Sequence, residues 1–347
     1  MHPSVLLIGS FLSASLHTRT AGEELAMRLV GRGHSVRLTS ERRSRTIRML
    51  DMVATVLSQR AHYTVAQVDV YSGNNFIYAE TVAGVLRLLN KPYVLTLRGG
   101  NLPAFGKRWP GRVRRLLRGA TAVTAPSHYL CEQMSGYRDD IRLLPNAVEV
   151  SAYPYRIRER PQPRLLWLRA FHRIYNPELA PEVLARVAAR YVDARLTMIG
   201  PDKQDGSLAG TERVASGLRV SDRLALTGAV AKRELPARLN VADVFLNTAD
   251  IDNAPVSVVE AMAAGLCIVS TNVGGIPYLL EHERDALLVP PRDAEAMARA
   301  VCRIVEEPGL AARLSRNARA KAEQLDWAVV LPQWEELFTA LARERWS

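Results

Sequence analysis

Asp250–Pro277 reads DIDNAPVSVVEAMAAGLCIVSTNVGGIP. It runs from a polar loop into a short apolar helix with one carboxylate, then an apolar strand and a double-glycine loop. The strand DVFLN (243–247) precedes it. Pro255 suits the first helical position, where the N–H it lacks would have no helical partner. Gly265 suits the left-handed residue that stops a helix. The backbone N–H groups near 255–258 form a positive pole that favours an anion. Glu260 lies more than one turn further in, among Val256, Val258, Val259 and Met262, and is expected to border a cleft rather than open water. A carboxylate there can accept two hydroxyl hydrogen bonds, the geometry of a ribose diol, while the helix end favours phosphate. Asn272–Gly275 is expected to bring backbone close to the same ligand. The competing reading makes Ser257-x-x-Glu260 a capping box. Pro255 argues against it by starting the helix two residues before Ser257.

Outward from this stretch, short apolar runs alternate with amphipathic segments. SVLLIGS (4–10), VAQVDVY (65–71), PYVLTLR (92–98), TAVTAPS (121–127) and IRLLPN (141–146) read as strands, with helices such as AGEELAMRLVG (21–31) and AETVAGVLRLLN (79–90) between them. The alternation restarts after SAYPYRIRERPQP (151–163), with strands at 164–169, 194–200, 222–228, 243–247, 266–271 and 286–290. Strand–helix alternation with short apolar strands predicts doubly wound parallel sheets. Two Rossmann-like domains facing a cleft are expected: residues 1–153, a linker at 154–163, and residues 164–326. The helical segment 327–347, with a break near Pro332, is expected to pack back towards the first domain. In such sheets the ligand lies beyond the carboxyl ends of the strands.

The chain has 347 residues and a formal net charge of +11. Residues 1–150 hold 20 Lys+Arg against 10 Asp+Glu, a net of +10; residues 151–347 hold 26 against 25, a net of +1. A one-sided basic half points to an anionic partner, namely nucleic acid, an anionic membrane face or a phosphorylated substrate, or else to a charge that only keeps the chain soluble. Cys131, Cys267 and Cys302 are far apart and fit neither a disulfide framework nor a zinc site, which favours a reducing cytoplasm. MHPSVLLIGSFL lacks the basic start and small-residue cleavage site of a signal peptide, and no run reaches the ~18 apolar residues of a membrane span. The absence of G-x-G-x-x-G after the first strand disfavours a dehydrogenase.

The pattern of Asp252, seven residues, Glu260-Ala-Met-Ala-Ala-Gly, an apolar strand and Gly274-Gly275-Ile276-Pro277 resembles the retaining glycosyltransferases of family 4, whose two-domain fold is called GT-B. LLPNAVEV (143–150), MIGPDK, LTGAVAKRELPARLNVADVFLN and DALLVPPRDAEAMARAV follow the family order; the likeness is strong over about 143–300 and weak before it. The resemblance implies that Glu260 binds the nucleotide ribose. It places Asp252 where the family has the first acid of a Glu-x7-Glu pair, one methylene shorter. Asn253, Ala254, Pro255 and Val256 are then candidates for backbone contact with the donor, and Gly200 and Gly228 for bordering the nucleobase. The family's Gly-Arg and Lys-Gly grip on the diphosphate is replaced by LLWLRAFHRIYNPELA, which nominates Arg169, then Arg173, with Tyr175-Asn176 where the lysine is expected. TLRGGNLP (96–103) resembles the family's His-Gly-x-Asp turn, making Arg98, Gly99, Gly100 and Asn101 acceptor-side candidates, or a structural turn. Gly9 and Ser10, ending the first strand, are candidates to approach the diphosphate.

In GKRWPGRVRRLLRGA (106–120), Val113, Leu116 and Leu117 share one helical side while Arg112, Arg114, Arg115 and Arg118 spread over the other, with Trp109 at the entrance. RRSRTIRML (42–50) adds Arg42, Arg43, Arg45 and Arg48. Such segments read either as anchors for anionic lipid or as core-packed helices with solvated arginines. Nucleic acid is not expected, since no helix-turn-helix, zinc spacing or aromatic-rich strand motif is present.

The expected function is a retaining, metal-independent glycosyltransferase with no cofactor besides its UDP- or GDP-sugar donor. The acceptor would be a cell-surface polysaccharide, a lipid-linked sugar or a glycolipid, handled in the cytoplasm or at the inner membrane face. The alternatives are a non-catalytic nucleotide-binding scaffold and a sugar-nucleotide epimerase of the same architecture.

Overall fold

The computed structural model describes residues 3–11 and 20–343; the last four residues of the expected C-terminal helical segment lie outside that range. The chain divides into two compact units, residues 1–146 with 328–347 and residues 147–327.

The first unit carries β1 (Val5–Ile8), α1 (Ala21–Gly31), β2 (Val36–Thr39), α2 (Arg45–Ser58), β3 (Val65–Val70), α3 (Phe76–Leu88), β4 (Tyr93–Leu97), α4 (Leu102–Arg108), α5 (Pro110–Arg118), β5 (Ala122–Ala125), α6 (His128–Met134) and β6 (Arg142–Leu143). The strands pair in parallel in the order β2-β1-β3-β4-β5-β6. Every residue of β1, β3, β4 and β5 is buried. Continuous burial is what helices on both faces of a parallel sheet impose, and it explains why VLLI and YVLTL show no polar alternation.

The second unit carries β7 (Arg164–Leu168), α7 (Leu179–Ala188), β8 (Arg195–Ile199), α8 (Ser207–Gly217), β9 (Leu224–Leu226), α9 (Leu235–Asn240), β10 (Val244–Asn247), α10 (Val256–Ala263), β11 (Cys267–Thr271), α11 (Ile276–Leu279), β12 (Ala286–Val289), α12 (Ala294–Glu306) and α13 (Leu310–Glu323). Its parallel sheet has the order β12-β11-β10-β7-β8-β9. The winding reverses between β7 and β10, so the crevice beyond those two strands is where this architecture admits a ligand. Two doubly wound parallel sheets are the architecture expected from the sequence, and each has six strands. Cys267, fully buried in β11, has its thiol pushed up to about 12 by that burial.

Three local expectations differ from the structure. Residues 154–163 are not a free linker but part of the second unit. Arg158 is fully buried there and donates to the carbonyls of Ala264 and Ala242, the latter at 3.1 Å. Arg156 and Arg164 bond the fully buried Asp243 at 2.7 and 3.0 Å, and so does the Gln162 N–H at 3.0 Å. The last helix, α14 (Trp327–Arg343), runs unbroken through Pro332. The proline removes only one backbone donor, near the helix start, while Leu331 beside it and the stripe Trp334, Leu337, Phe338 and Leu341 on the following turns stay buried. Two of the basic residues expected to face a membrane point elsewhere. Arg48 is buried and donates to the carbonyls of Arg42 and Arg43. Arg112 is bidentate on Glu80 at 3.0 and 2.5 Å and lies over the Phe76 and Phe105 rings.

Candidate active site

At the switch point of the second sheet, Arg169 leaves β7 and the loop 248–255 leaves β10. The backbone makes this junction tight. Arg169 N–H continues the ladder to the Ile199 carbonyl at 3.0 Å. Gly200 has φ +153°, and a Cβ there would sit 1.7 Å from the Arg169 carbonyl oxygen. Only glycine lets β8 turn away at that point, so Gly200 shapes the strand end that carries Arg169. Its N–H bonds the Gly228 carbonyl at 2.9 Å, which ties the loop after β9 to the same edge.

The Arg169 guanidinium is ion-paired with the Asp252 carboxylate and lies 4.2 Å over the Tyr175 ring. Trp167 Nε1–H donates to Thr248 Oγ1 at 2.9 Å, and that hydroxyl donates to the Tyr175 carbonyl at 2.7 Å. The platform under Arg169 is therefore fixed from the core. Burial is the largest single influence on the Arg169 pKa and lowers it; the charge and hydrogen bond of Asp252, with Tyr175 and Glu260, together outweigh it, so the net shift is upward and the residue stays cationic. Asp252 Oδ1 also accepts the Asn253 N–H at 2.9 Å. The carboxylate expected to meet the donor sugar is thus turned onto Arg169.

The loop is clamped from the other side by β11. Thr271 Oγ1 donates to the Ala249 carbonyl at 2.6 Å. A Cβ on Gly274 would stand 2.1 Å from the Asp252 carbonyl oxygen, and one on Gly275 would stand 1.9 Å from that of Asn253. The double glycine, expected to bring backbone to a ligand, instead lets two loops close on each other.

α10 begins at Val256, with Pro255 as its N-cap rather than its first helical residue, a shift of one position. No side chain caps this end, and Ser257 Oγ is buried without a partner, so the capping-box reading fails. Glu260 is 3% exposed. Its Oε1 accepts the Tyr153 hydroxyl at 2.9 Å and is ion-paired with Lys232. The Lys232 side chain is 43% exposed. The lysine is therefore a partly exposed cover over Glu260, whereas Tyr153 lies in the core.

The remaining nominated residues separate. Arg173 is exposed and binds the Asp205 backbone carbonyl and carboxylate, away from the Arg169–Asp252 pair. Asn253, Ala254, Pro255 and Val256 form the loop and helix start just described. In the first unit, Gly9 ends β1 against Asp69. Arg98, nominated for the acceptor side, is part-buried and donates to Asp69 at 2.9 Å and to Asn146 at 3.1 Å. Its guanidinium is occupied inside the unit. Gly99 and Gly100 follow, and Asn101 is exposed at the start of α4. The Asp250-Ile251-Asp252 spacing could pass for a metal-binding carboxylate pair, but Asp250 is paired with Arg292 and Asp252 with Arg169. Among the described residues no group of three or more His, Cys, Asp or Glu could hold a metal ion.

Sequence reasoning missed Tyr153 and Lys232 as partners of Glu260. Lys232 stands in a segment that follows the family order and Tyr153 in the proline-rich stretch 151–163, but nothing in their spacing from Glu260 marks either. The site that results has a fixed cation, a bare helix end and a covered carboxylate. It also holds two buried polar atoms without partners, Arg169 Nε and Ser257 Oγ. Orphaned buried groups of this kind are what a bound polar ligand would satisfy.

Comparison with known proteins agrees with this architecture. Residues 162–307 match the family described as Glycosyl transferases group 1, and residues 15–152 match Glycosyltransferase Family 4. The chain is 27% identical over 175 residues to the D-inositol 3-phosphate glycosyltransferase of Streptomyces avermitilis, covering 48% of this chain and 38% of that one. It is 25% identical over 252 residues to the GDP-mannose-dependent alpha-(1-6)-phosphatidylinositol monomannoside mannosyltransferase of Mycobacterium tuberculosis, covering 66% and 63%. The chain thus spans less than two thirds of the length of these curated relatives. Among solved structures it superposes on sucrose-phosphate synthase from Thermosynechococcus elongatus with a TM-score of 0.80 at 18% identity, covering 98% of this chain and 99% of that one. The Anabaena HepE complex with UDP and glucose gives 0.76 at 15%, covering 98% and 100%. The chain therefore belongs to the group 1, family 4 glycosyltransferases, with the GT-B fold.

Proposed function

We propose that the chain transfers a sugar, with retention of configuration, from a nucleoside-diphosphate sugar to a glycolipid, lipid-linked or polysaccharide hydroxyl. The observation that carries this reading is the meeting of Arg169, the bare amino end of α10 and Glu260 at the switch point of one sheet. Arg169 and the helix end face the charge that develops on a departing diphosphate. In many enzymes such preorganised electrostatics supplies most of the rate enhancement. Glu260, once Lys232 swings aside, accepts the ribose hydroxyls. The acceptor oxygen bonds to the anomeric carbon as the bond to the phosphate oxygen breaks, and the acceptor's proton passes to the leaving diphosphate on the same face. Asp252 keeps Arg169 oriented. The named activities of the relatives, one GDP-mannose-dependent and acting on a phosphatidylinositol mannoside, support a sugar-nucleotide donor and a glycolipid-type acceptor. A third relative, the amylovoran biosynthesis glycosyltransferase of Erwinia amylovora, is 32% identical over 130 residues, covering 35% of this chain and 32% of that one, and supports a polysaccharide acceptor.

Incubation with a panel of UDP- and GDP-sugars, followed by detection of free nucleoside diphosphate, tests the reading. Slow release from one donor, without added metal, is the expected result. Tight nucleotide binding with no release from any donor would favour a non-catalytic scaffold. Appearance of an epimerised sugar nucleotide would replace transfer with epimerisation.

A further inference from the structure

In the first unit, the connections β2→β3, β3→β4 and β4→β5 all step the same way across the sheet. Right-handed crossovers therefore put α2, α3 and α5 on one face, with their amino ends at the edge formed by the strand carboxyl ends. The amino ends are joined. Tyr78 of α3 donates its hydroxyl to the Arg45 carbonyl of α2 at 3.3 Å. Arg112 of α5 lies 5.5 Å from the Phe76 ring and 5.9 Å from that of Trp109.

That joined end exposes large apolar side chains. Ile47 is 54% exposed, Leu50 64%, Ile77 47% and Trp109 44%. Leu57 continues the α2 stripe and Leu88 that of α3. Around them Arg42, Arg43, Arg45 and Arg108 are exposed, and Arg114, Arg115 and Arg118 follow along α5. The acids on these segments are Glu41, Asp51, which takes a hydrogen bond from Thr39, and Glu80, which Arg112 neutralises. Apolar anchors set among cations, with the local acids largely occupied, match the interface of a bilayer carrying anionic headgroups.

We propose that this face, built on the amino ends of α2, α3 and α5, docks on an anionic lipid surface, with Ile47, Leu50, Ile77 and Trp109 entering the interface. The docking edge is also the edge from which the 98–101 turn emerges after β4, so a membrane-resident acceptor would be delivered beside it. The lipid contact itself does not depend on the sugar-transfer reading.

Flotation of the purified full chain with vesicles tests it, comparing phosphatidylcholine alone with equal parts phosphatidylcholine and phosphatidylglycerol. The chain is expected to float with the anionic vesicles only, and less so as salt is raised. The double variant Ile47→Glu with Leu50→Glu should lower the partition coefficient at least about tenfold, and Arg42→Ala and Arg43→Ala roughly fivefold each, with melting temperatures unchanged. No flotation, equal flotation on neutral vesicles, or wild-type flotation of both sets of variants overturns the proposal. So does a dimer seen by light scattering that the double variant abolishes while vesicles recruit nothing, which would assign the face to a second copy.

Discussion

Replacing Arg169 with alanine should lower donor turnover by about 10²–10³-fold, the usual loss when one preorganised donor to a developing anion is removed. The guanidinium sits at the end of β7, held over Tyr175 and against Asp252, so little reorganisation is needed when charge builds on a diphosphate. Arg169→Lys should recover only part of the loss, because an ammonium cannot hold Asp252 and a phosphate oxygen with the same planar fork. Asp252→Asn should cost less than Arg169→Ala if the aspartate only orients the arginine. Steady-state kinetics on the donor identified by the panel separates these outcomes. An Arg169→Ala protein with near-wild-type turnover would remove the arginine from the mechanism.

Asp243→Ala should produce the largest stability loss, about 3–5 kcal/mol, as expected when one partner of a buried ionic network is removed. Asp243 is fully buried and takes hydrogen bonds from Arg156, Arg164 and the Gln162 N–H. Its carboxylate also lies 3.7 Å from Arg158 Nε and, among the described residues, is the one carboxylate paired with that wholly buried cation. Burial, and then the neighbouring Arg156, already push the Arg158 pKa down to about 10 against the pull of Asp243. Without Asp243 the carbonyls of Ala264 and Ala242 remain, but no carboxylate offsets that burial. Urea unfolding of the variant checks the expectation. A loss below about 1 kcal/mol would show the network to be no stronger than a surface pair.

The fold was legible because its signals are local. Runs such as VLLI, YVLTL and CIVST are mostly apolar, and turns and amphipathic helices separate them. The site was legible only in part. The helix of EAMAAG, its glycine stop and the arginine ending β7 lie within a few residues of recognisable patterns. The partners of Glu260 do not: Tyr153 is 107 residues away in sequence and Lys232 is 28. The same holds for the ion pairs that turned Asp252 onto Arg169, Arg98 onto Asp69 and Arg112 onto Glu80. A charge read from sequence has no visible partner, so arginines held in such pairs look like free cations. Arg158 is the extreme case: a segment of prolines and charges reads as a linker, yet its cations close carbonyls and a carboxylate inside the second unit. The Gly274–Gly275 pair shows another limit: approach to a ligand was the expectation, and what the structure places against these glycines is the backbone of Asp252 and Asn253.

The central claim is that Glu260 and the amino end of α10 hold the nucleoside diphosphate of a sugar donor. Calorimetric titration of UDP and GDP into the wild type and the Glu260→Gln variant tests it most directly. One nucleotide should bind the wild type and bind the variant at least about tenfold more weakly, consistent with loss of a charged hydrogen-bond acceptor, while the melting temperatures stay close. Equal affinity in the two proteins, or no binding of either nucleotide to the wild type, would contradict it.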